Sequence, residues 1–131
     1  MAALKDSGAR ETFSGGASKE PSNGRGDFSL LVWEVINDDA VHMEKGGNKY
    51  APRNWEQGIP ISKCFSSMMR HAIQWWLGFT DEPHLSAVRW HAAALSFYCK
   101  RISDGTLPAS LDDRPIYGKK NSSGSTEGES T

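Results

Sequence analysis

Apolar residues recur at helical spacing in three segments of the chain, and the first segment runs from about residue 30 to 46. Three of its apolar residues share one side of a predicted helix: Trp33, Ile36 and Ala40. At about 100° per residue, Glu44 projects within about 20° of Trp33, so we expect a carboxylate on the side that faces the core. The Gly-Gly pair at 46–47 predicts the end of the helix, because glycine readily adopts the left-handed conformation that follows a helix.

The second and third segments predict longer amphipathic helices, from about Ser62 to Gly78 and from about Pro83 to Ser103. One side of the second helix carries six apolar residues: Ile61, Phe65, Met68, Met69, Ala72 and Trp76. Six residues of the third helix fall within about 40° of one direction: His84, Val88, His91, Leu95, Tyr98 and Ile102. Two histidines therefore point the same way as the side chains that should form the core.

These segments predict an all-α fold, a small three-helix bundle without strands. We divide the chain into a flexible, extended N-terminal arm at 1–29, a helical domain at 30–117 and a disordered tail at 118–131, because the two ends contain too few apolar residues to form a core. Within the domain, segment 107–117 should lie along the bundle as a strap. Trp75 and Trp90 lie away from the main apolar sides, which indicates a partner surface and favours a homo-oligomer.

Charge and composition restrict the partners and the compartment. The net charge is -1, with 15 basic and 16 acidic residues, so no strong field favours stable binding to nucleic acid or to a membrane surface. No apolar run approaches the ~20 residues of a membrane span. Without a signal peptide, we expect a cytoplasmic protein. Cys64 and Cys99 fall on the apolar sides of predicted helices, so we expect both to be buried free thiols.

Acidic residues near the predicted helix ends form the first candidate site. A carboxylate at Glu44 on a core side would be costly unless it is paired, protonated or bound to a cation. It therefore pairs with Lys49 or Arg70, lies exposed at the helix end, or binds Mg²⁺. Asp81 and Glu82 precede the third helix, where acidic residues also complement the helix dipole. If the third helix packs antiparallel to the second and beside the first, these carboxylates would approach one another.

The histidines of the third helix are a second candidate. His84 and His91 are seven residues apart, and the chain contains neither HExxH nor CxxC, so no structural zinc site is predicted. The two imidazoles are either hydrogen-bonded core groups or a wall that contacts a base or a phosphate.

The loop between the first two predicted helices is a third candidate. Its Lys49 and Arg53, together with Arg70, are either solvated cations or phosphate ligands. The cations stand near Asn54 and Trp55, and an aromatic face, an amide and cations are what a purine triphosphate would use. The chain has no Walker loop, GxGxxG or GxSxG motif.

Several linked motifs between residues 44 and 90 resemble one known family. These motifs are EKGxxKYxxRNW at 44–55, RH at 70–71 and DExHLxxxxW at 81–90. Together with GRGDFSLL near the start and LPASLDD near the end, they resemble the phage and bacterial domain family described as dATP/dGTP diphosphohydrolase, N-terminal. The likeness runs from about Asp6 to Pro115.

The resemblance implies hydrolysis of a purine deoxynucleoside triphosphate, dATP or dGTP, to the monophosphate and pyrophosphate. It also implies a fold similar to the MazG-like all-α pyrophosphohydrolases, which use Mg²⁺. By this resemblance the metal ligands are Glu44, Asp81 and Glu82, the phosphate contacts are Lys49, Arg53 and Arg70, and further motif positions are Asn54, Trp55, His71 and His84. With Glu44 and Asp81, we take His84 as catalytic, the general base being either a carboxylate or His84.

Three positions depart from the family pattern: Ser66 replaces a common Asp, His91 a usual Asn and Val32 an expected Pro. The change at Ser66 removes a potential ligand or base, whereas we include His91 among the substrate contacts. Two alternatives to the enzyme therefore stay open. The domain binds nucleotides without cleaving them, or it is a helical interaction module whose tryptophans mark a partner surface.

Overall fold

A computed structural model describes residues 8–21 and 24–118 of the 131-residue chain. Within these ranges it contains three α-helices: α1 Trp33–Lys49, α2 Ile61–Trp76 and α3 His84–Ser103. The mostly helical content confirms the predicted all-α fold. The chain divides into two compact units, Met1–Ile36 and Asn37–Thr131. Apart from Gly118, the predicted disordered tail lies outside the described residues.

A short antiparallel strand pair in the first unit was not predicted. Strand β1, Glu11–Thr12, pairs with β2, Ser18–Lys19. The turn between them is closed by a 2.8 Å hydrogen bond from the Gly16 amide to the Phe13 carbonyl, and Gly16 has a φ of 92°, which favours glycine. Strands of two residues are too short for an alternation of apolar and polar positions to reveal them.

The core of the second unit lies where α2 packs against α3. Four buried residues form it: Ile61, Cys64, Ala94 and Tyr98. Partly buried apolar residues surround this cluster: Trp55, Ile59, Trp90, Leu95, Phe97, Ile102 and Leu107. The six positions predicted to share one side of α3 are all buried or partly buried, which confirms the predicted core side of that helix.

The predicted core side of α2 is wrong. The buried residues are Ile61, Cys64 and His71, whereas Phe65 and Trp76 are 49% and 76% exposed. Hydrophobicity alone favours the side with the larger apolar residues, but α3 covers the neighbouring side, which carries a thiol and an imidazole. The more apolar side of α2 is therefore left without a partner in the described residues.

Helix α1 differs from the prediction at its end and in its burial. It continues through the glycine pair to Lys49, and the Tyr50 amide still donates to the Gly46 carbonyl at 2.9 Å. The helix contains no buried residue, so the expectation that Glu44 faces the core is wrong; Glu44 is exposed. Asp39 accepts a 2.8 Å hydrogen bond from Arg89 Nε, which ties α1 to α3.

The segment after α3 lies along the bundle as predicted. It contains a 3₁₀ turn, Ala109–Leu111, that packs against α3. Asp113 accepts hydrogen bonds from the Ser62 amide at 2.8 Å and from the Ser62 hydroxyl at 2.5 Å. Helix α2 begins at Ile61, so Ser62 lies in its first turn, and a carboxylate 51 residues away satisfies the amide donor of Ser62.

The two cysteines have different environments. Both are free, as predicted, but Cys64 is buried and Cys99 is exposed, so the expectation of burial is wrong for Cys99. Burial raises the pKa of the Cys64 thiol to about 11, which keeps it protonated and unreactive at neutral pH. In the ranges described, no helix is both long enough and apolar enough to cross a bilayer.

Candidate active site

An open cleft of about 1170 Å³ lies in the second unit, between the end of α1, the loop that follows it and the start of α3. Its charged and polar lining comes from sequence positions far apart: His42, Glu44, Lys45, Asn48, Lys49, Arg53, Asn54, Glu56, His71, Asp81, Glu82 and His91. Its aromatic lining consists of Tyr50, Trp55 and Trp90. The volume slightly exceeds the roughly 300–1,000 Å³ of typical ligand pockets, so the cleft has room for a nucleotide.

Asp81, His84 and His71 form a hydrogen-bonded chain at one side of the cleft. His84 Nε2 lies 2.9 Å from Asp81 Oδ1, and His84 Nδ1 lies 2.9 Å from His71 Nδ1. Because a carboxylate only accepts, His84 Nε2 carries a proton and donates it to Asp81. In neutral His84, Nδ1 then accepts from His71 Nδ1–H, which leaves the His71 Nε2 lone pair available.

The surroundings of these three hydrogen-bonded residues favour a charged Asp81 and a neutral His71. The hydrogen bond from His84 holds the pKa of Asp81 below its ordinary value. Burial lowers the pKa of His71 more than the nearby Glu82 carboxylate raises it. At neutral pH, Asp81 is therefore an anion and His71 an uncharged imidazole.

Two further histidines line the cleft in neutral form. The His91 ring lies 5.7 Å from the His71 ring, centroid to centroid, and His91 Nδ1 donates to the Ala87 carbonyl at 2.7 Å. Burial is the main cause that lowers the pKa of both His91 and His42. These side chains therefore offer hydrogen bonds without adding charge.

An aromatic cluster separates the cleft from the core. The Trp55 ring packs edge-on against Trp90 and Phe97, with ring centroids 5.8 and 4.9 Å apart. The hydroxyl of Tyr98, whose residue is 0% exposed, donates a 2.6 Å hydrogen bond to the Trp55 carbonyl. Tyr98 thus fixes the turn Asn54–Gln57 against α3. Because Trp90 packs in this cluster and lines the cleft, its prediction as a spare partner-surface tryptophan is wrong.

The basic residues of the loop lie at the mouth of the cleft. Arg53 has a left-handed backbone, with a φ of 64°, and its guanidinium donates to Glu56 at 2.6 Å. Lys49 Nζ lies 5.5 Å from the Tyr50 ring centroid. Both side chains are exposed, which leaves them accessible to an anionic ligand.

The structure brings most of the predicted site residues into this one cleft. Nine of them line it: Glu44, Lys49, Arg53, Asn54, Trp55, His71, Asp81, Glu82 and His91. His84 lies behind His71 with both ring nitrogens engaged. Arg70 is exposed on α2 outside the lining, although its charge contributes to the lowered pKa of His71 and His91.

The closest set of potential metal ligands differs from the predicted carboxylate set. In the part of the chain that the structure describes, three residues have donor atoms that all lie within 4.8 Å of one another: His71, Glu82 and His84. Glu44 and Asp81 line the same cleft but do not belong to this group. One carboxylate of the predicted set therefore lies against two imidazoles.

Sequence reasoning missed several residues of the cleft, among them His42, Lys45 and Trp90. For two of them, the spacing along the chain could have indicated a place in the cleft. His42 and Lys45 lie three residues apart on one side of α1, and Lys49, which was predicted as a site residue, follows four residues later. For Trp90 the signal was its place in DExHLxxxxW, directly before His91.

Of the three comparisons with known proteins, the one with family models gave a match. A family model described as dATP/dGTP diphosphohydrolase, N-terminal, matches residues 15–105. Neither the curated proteins nor the solved structures gave a match. The matched range covers more than half of the 131 residues and contains every residue of the cleft lining. The chain therefore belongs to the dATP/dGTP diphosphohydrolase N-terminal family.

Proposed function

We propose that the protein hydrolyses purine deoxynucleoside triphosphates, dATP or dGTP, to the monophosphate and pyrophosphate in this cleft. Membership of the family indicates a nucleotide hydrolase. The observation that carries the proposal is the meeting of carboxylates, basic residues and aromatic rings in one open cleft. Each part of a nucleoside triphosphate then has a matching surface.

The net charge of the cleft lining indicates that binding of a triphosphate would need a divalent cation. The lining contains three basic residues, Lys45, Lys49 and Arg53, and four acidic residues, Glu44, Glu56, Asp81 and Glu82. With neutral histidines its formal charge is therefore -1, which would repel a polyphosphate. Carboxylate oxygens are the ligands that Mg²⁺ prefers, so the donor set fits this ion.

In the proposed site, Glu44 and Asp81, together with Glu82, would hold Mg²⁺. When bound, the ion would neutralise phosphate charge and supply an activated water for attack at the α-phosphorus. A carboxylate of this set, or His84 acting through His71, would accept the proton of the attacking water. His84 has no direct access to the cleft because both of its nitrogens are engaged.

The remaining residues would bind the two ends of the substrate. Lys49 and Arg53 would stabilise the charge that develops on the phosphates, while Arg70 would contribute only its field from outside the lining. Trp55 offers a ring face to a purine, and Asn54 offers a donor and an acceptor to its edge. His71 and His91 would contribute uncharged hydrogen-bonding groups.

The experiment follows the products formed from each of the four deoxynucleoside triphosphates with Mg²⁺. We expect monophosphate and pyrophosphate from dATP or dGTP. In ¹⁸O-labelled water the label should enter the monophosphate, because the attack is at the α-phosphorus. Label in pyrophosphate, or release of inorganic phosphate, would contradict the proposed bond cleavage.

Variants connect the activity to the cleft. Glu44→Gln and Asp81→Asn should each lower kcat at least about 100-fold, the size expected when a metal-ligand charge or an electrostatic contact is removed. Glu34→Gln, an exposed acidic residue outside the cleft, should retain full activity. Nucleotide binding without turnover in the unaltered protein would instead favour a binding domain.

We further propose that the protein is a homo-oligomer, because one side of α2 exposes a continuous apolar stripe. Phe65, Met69, Ile73 and Trp76 lie three or four residues apart, and each is at least 41% exposed. Light scattering after gel filtration should give a mass above that of one chain. Met69→Lys should reduce this mass, whereas Tyr117→Lys, at an exposed residue outside α2, should not. A monomeric unaltered protein would refute the proposal.

A further inference from the structure

We propose that one divalent first-row transition-metal ion binds at His71, Glu82 and His84. Their donor atoms all lie within 4.8 Å of one another, and the three residues come from the second half of α2, the turn before α3 and the first residue of α3. The proposal does not rest on nucleotide hydrolysis. It concerns an ion of a different chemical class from Mg²⁺, bound through nitrogen.

The donor types select the class of ion. Two imidazoles and one carboxylate suit first-row transition metals such as Zn²⁺, Co²⁺ or Fe²⁺, whereas Mg²⁺ prefers an all-oxygen shell. The sequence contains no zinc motif because the two histidines are 13 residues apart, on different helices. Only the fold brings their rings together.

The spacing of the two imidazole nitrogens fits one shared ion. The Nδ1 atoms of His71 and His84 are 2.9 Å apart. With metal–nitrogen bonds of about 2.1 Å, this separation corresponds to an angle of about 90° at the metal, as between neighbouring corners of an octahedron. A tetrahedral site would need the two atoms to separate by roughly 0.5 Å.

Asp81 provides the support that a metal-bound histidine usually has. A ligating imidazole commonly donates its other N–H to a carboxylate, which fixes the tautomer and raises the basicity of the ligand. His84 makes this bond to Asp81 Oδ1 at 2.9 Å, and its side chain is 1% exposed. The lone pair of His84 is thereby directed from Nδ1 toward His71.

Without an ion, the same two nitrogens share one proton. His71 Nδ1 carries it and donates to His84. With an ion bound, that proton moves to His71 Nε2, so both rings stay neutral and both Nδ1 lone pairs are used by the metal. The ion replaces a hydrogen bond with two coordination bonds and fastens α2 to the start of α3.

Two ligands also border the open space. His71 and Glu82 line the cleft, whereas His84 does not. Three protein ligands leave coordination positions for water or for a small anion, as in metal sites that keep open positions. The open positions therefore face the cleft.

The experiment uses the untagged full chain, treated with a chelator and then titrated with Co²⁺ and with Zn²⁺. We expect one Co²⁺ per chain, visible-region absorption bands from the bound ion, and displacement by Zn²⁺ but not by a large excess of Mg²⁺. His71→Asn and Glu82→Gln should each weaken Co²⁺ binding at least 10-fold. Asp81→Asn should weaken it about 10–100-fold, as loss of a supporting carboxylate does.

Matched controls distinguish Co²⁺ binding at this site from binding by another histidine or by a cysteine. His42→Asn changes another histidine of the cleft and Cys99→Ser removes the exposed thiol; both should retain the full affinity. Circular dichroism of each variant confirms that it folds. No stoichiometric Co²⁺ binding, unchanged affinity in His71→Asn and Glu82→Gln, or displacement by Mg²⁺ would overturn the proposal, whatever the result of the hydrolysis assay.

Discussion

The buried hydroxyl of Tyr98 provides a quantitative test of how the core supports the cleft. Its 2.6 Å hydrogen bond to the Trp55 carbonyl crosses from α3 to the turn that carries Asn54 and Trp55. Tyr98→Phe removes this bond and keeps the ring, so packing is preserved. The resulting change in stability then reports the hydrogen bond alone.

The expected loss of stability depends on whether the Trp55 carbonyl keeps another hydrogen bond in Tyr98→Phe. A buried polar group without a partner costs about 1–3 kcal/mol, but the Trp55 carbonyl also accepts a 3.1 Å bond from the Gly58 amide. We therefore expect a loss near the lower limit, about 1–1.5 kcal/mol. For a unit of about 100 residues this lowers the melting temperature by roughly 5–10 °C.

The assay is urea and thermal unfolding followed by circular dichroism, with Tyr117→Phe as the control. Tyr117 is 86% exposed, so its hydroxyl should contribute less than about 0.5 kcal/mol. If the two variants lose the same stability, the Tyr98 bond does not hold the turn. In the hydrolysis assay, a loosened turn should raise KM for the nucleotide more than it lowers kcat.

Alkaline pH tests the same group independently. Burial raises the pKa of Tyr98 to about 12, whereas an unfolded tyrosine ionises near pH 10. Because the folded pKa is the higher one, this contribution to stability is fully present below about pH 10 and is lost as the pH rises toward 12. Tyr98→Phe should remove that part of the alkaline decline.

Two further predictions concern the strap that follows α3. The hydrogen bonds from Ser62 hold the pKa of Asp113 below its ordinary value, so Asp113→Ala should lower the melting temperature at pH 7, and the difference should shrink as the pH falls below about 4; a constant difference down to pH 2 would contradict this. Gly58→Ala places a Cβ 2.7 Å from Leu111 Cδ1 at a φ of 113°, whereas Gly78→Ala, at a φ of 86°, meets open space. We expect urea unfolding to show a loss of about 1–2 kcal/mol for Gly78→Ala and about 1–3 kcal/mol more for Gly58→Ala; equal losses would show that Leu111 moves freely.

The fold was predictable where one helix had a single buried side. All six positions chosen for α3 are buried or partly buried, because a long regular stripe leaves no alternative side. For α2 the sequence offered two apolar sides, and the choice between them depended on the position of α3. No periodicity within α2 contains that information, so His71 was not assigned to the core, although Cys64 was expected to be buried.

The end of α1 shows the limit of residue propensity. Two adjacent glycines cost about 2 kcal/mol relative to alanine in a helix interior, which is why a stop was predicted. The helix nevertheless reaches Lys49, and this extra turn carries Lys49 to the cleft.

The sequence predicted which residues belong to the candidate site, but not which of them contact one another. The linked motifs contain most of the residues that line the cleft, because loop and helix-end residues meet once the helices pack. The closest metal-ligand group, however, pairs Glu82 with two histidines. The contact of His71 with His84 requires the register of α2 against α3, which single-sequence patterns do not supply.

The stripe of α3 carries core and cleft residues together, and this determines which variants can test function. His84 is 2% exposed, and both of its ring nitrogens have partners. Its removal would leave the buried His71 without its partner, and buried polar groups without a partner destabilise the fold. Loss of activity in a His84 variant would therefore mix chemistry with stability. Glu44 is exposed in the same cleft, so replacing its charge changes the site without touching the core.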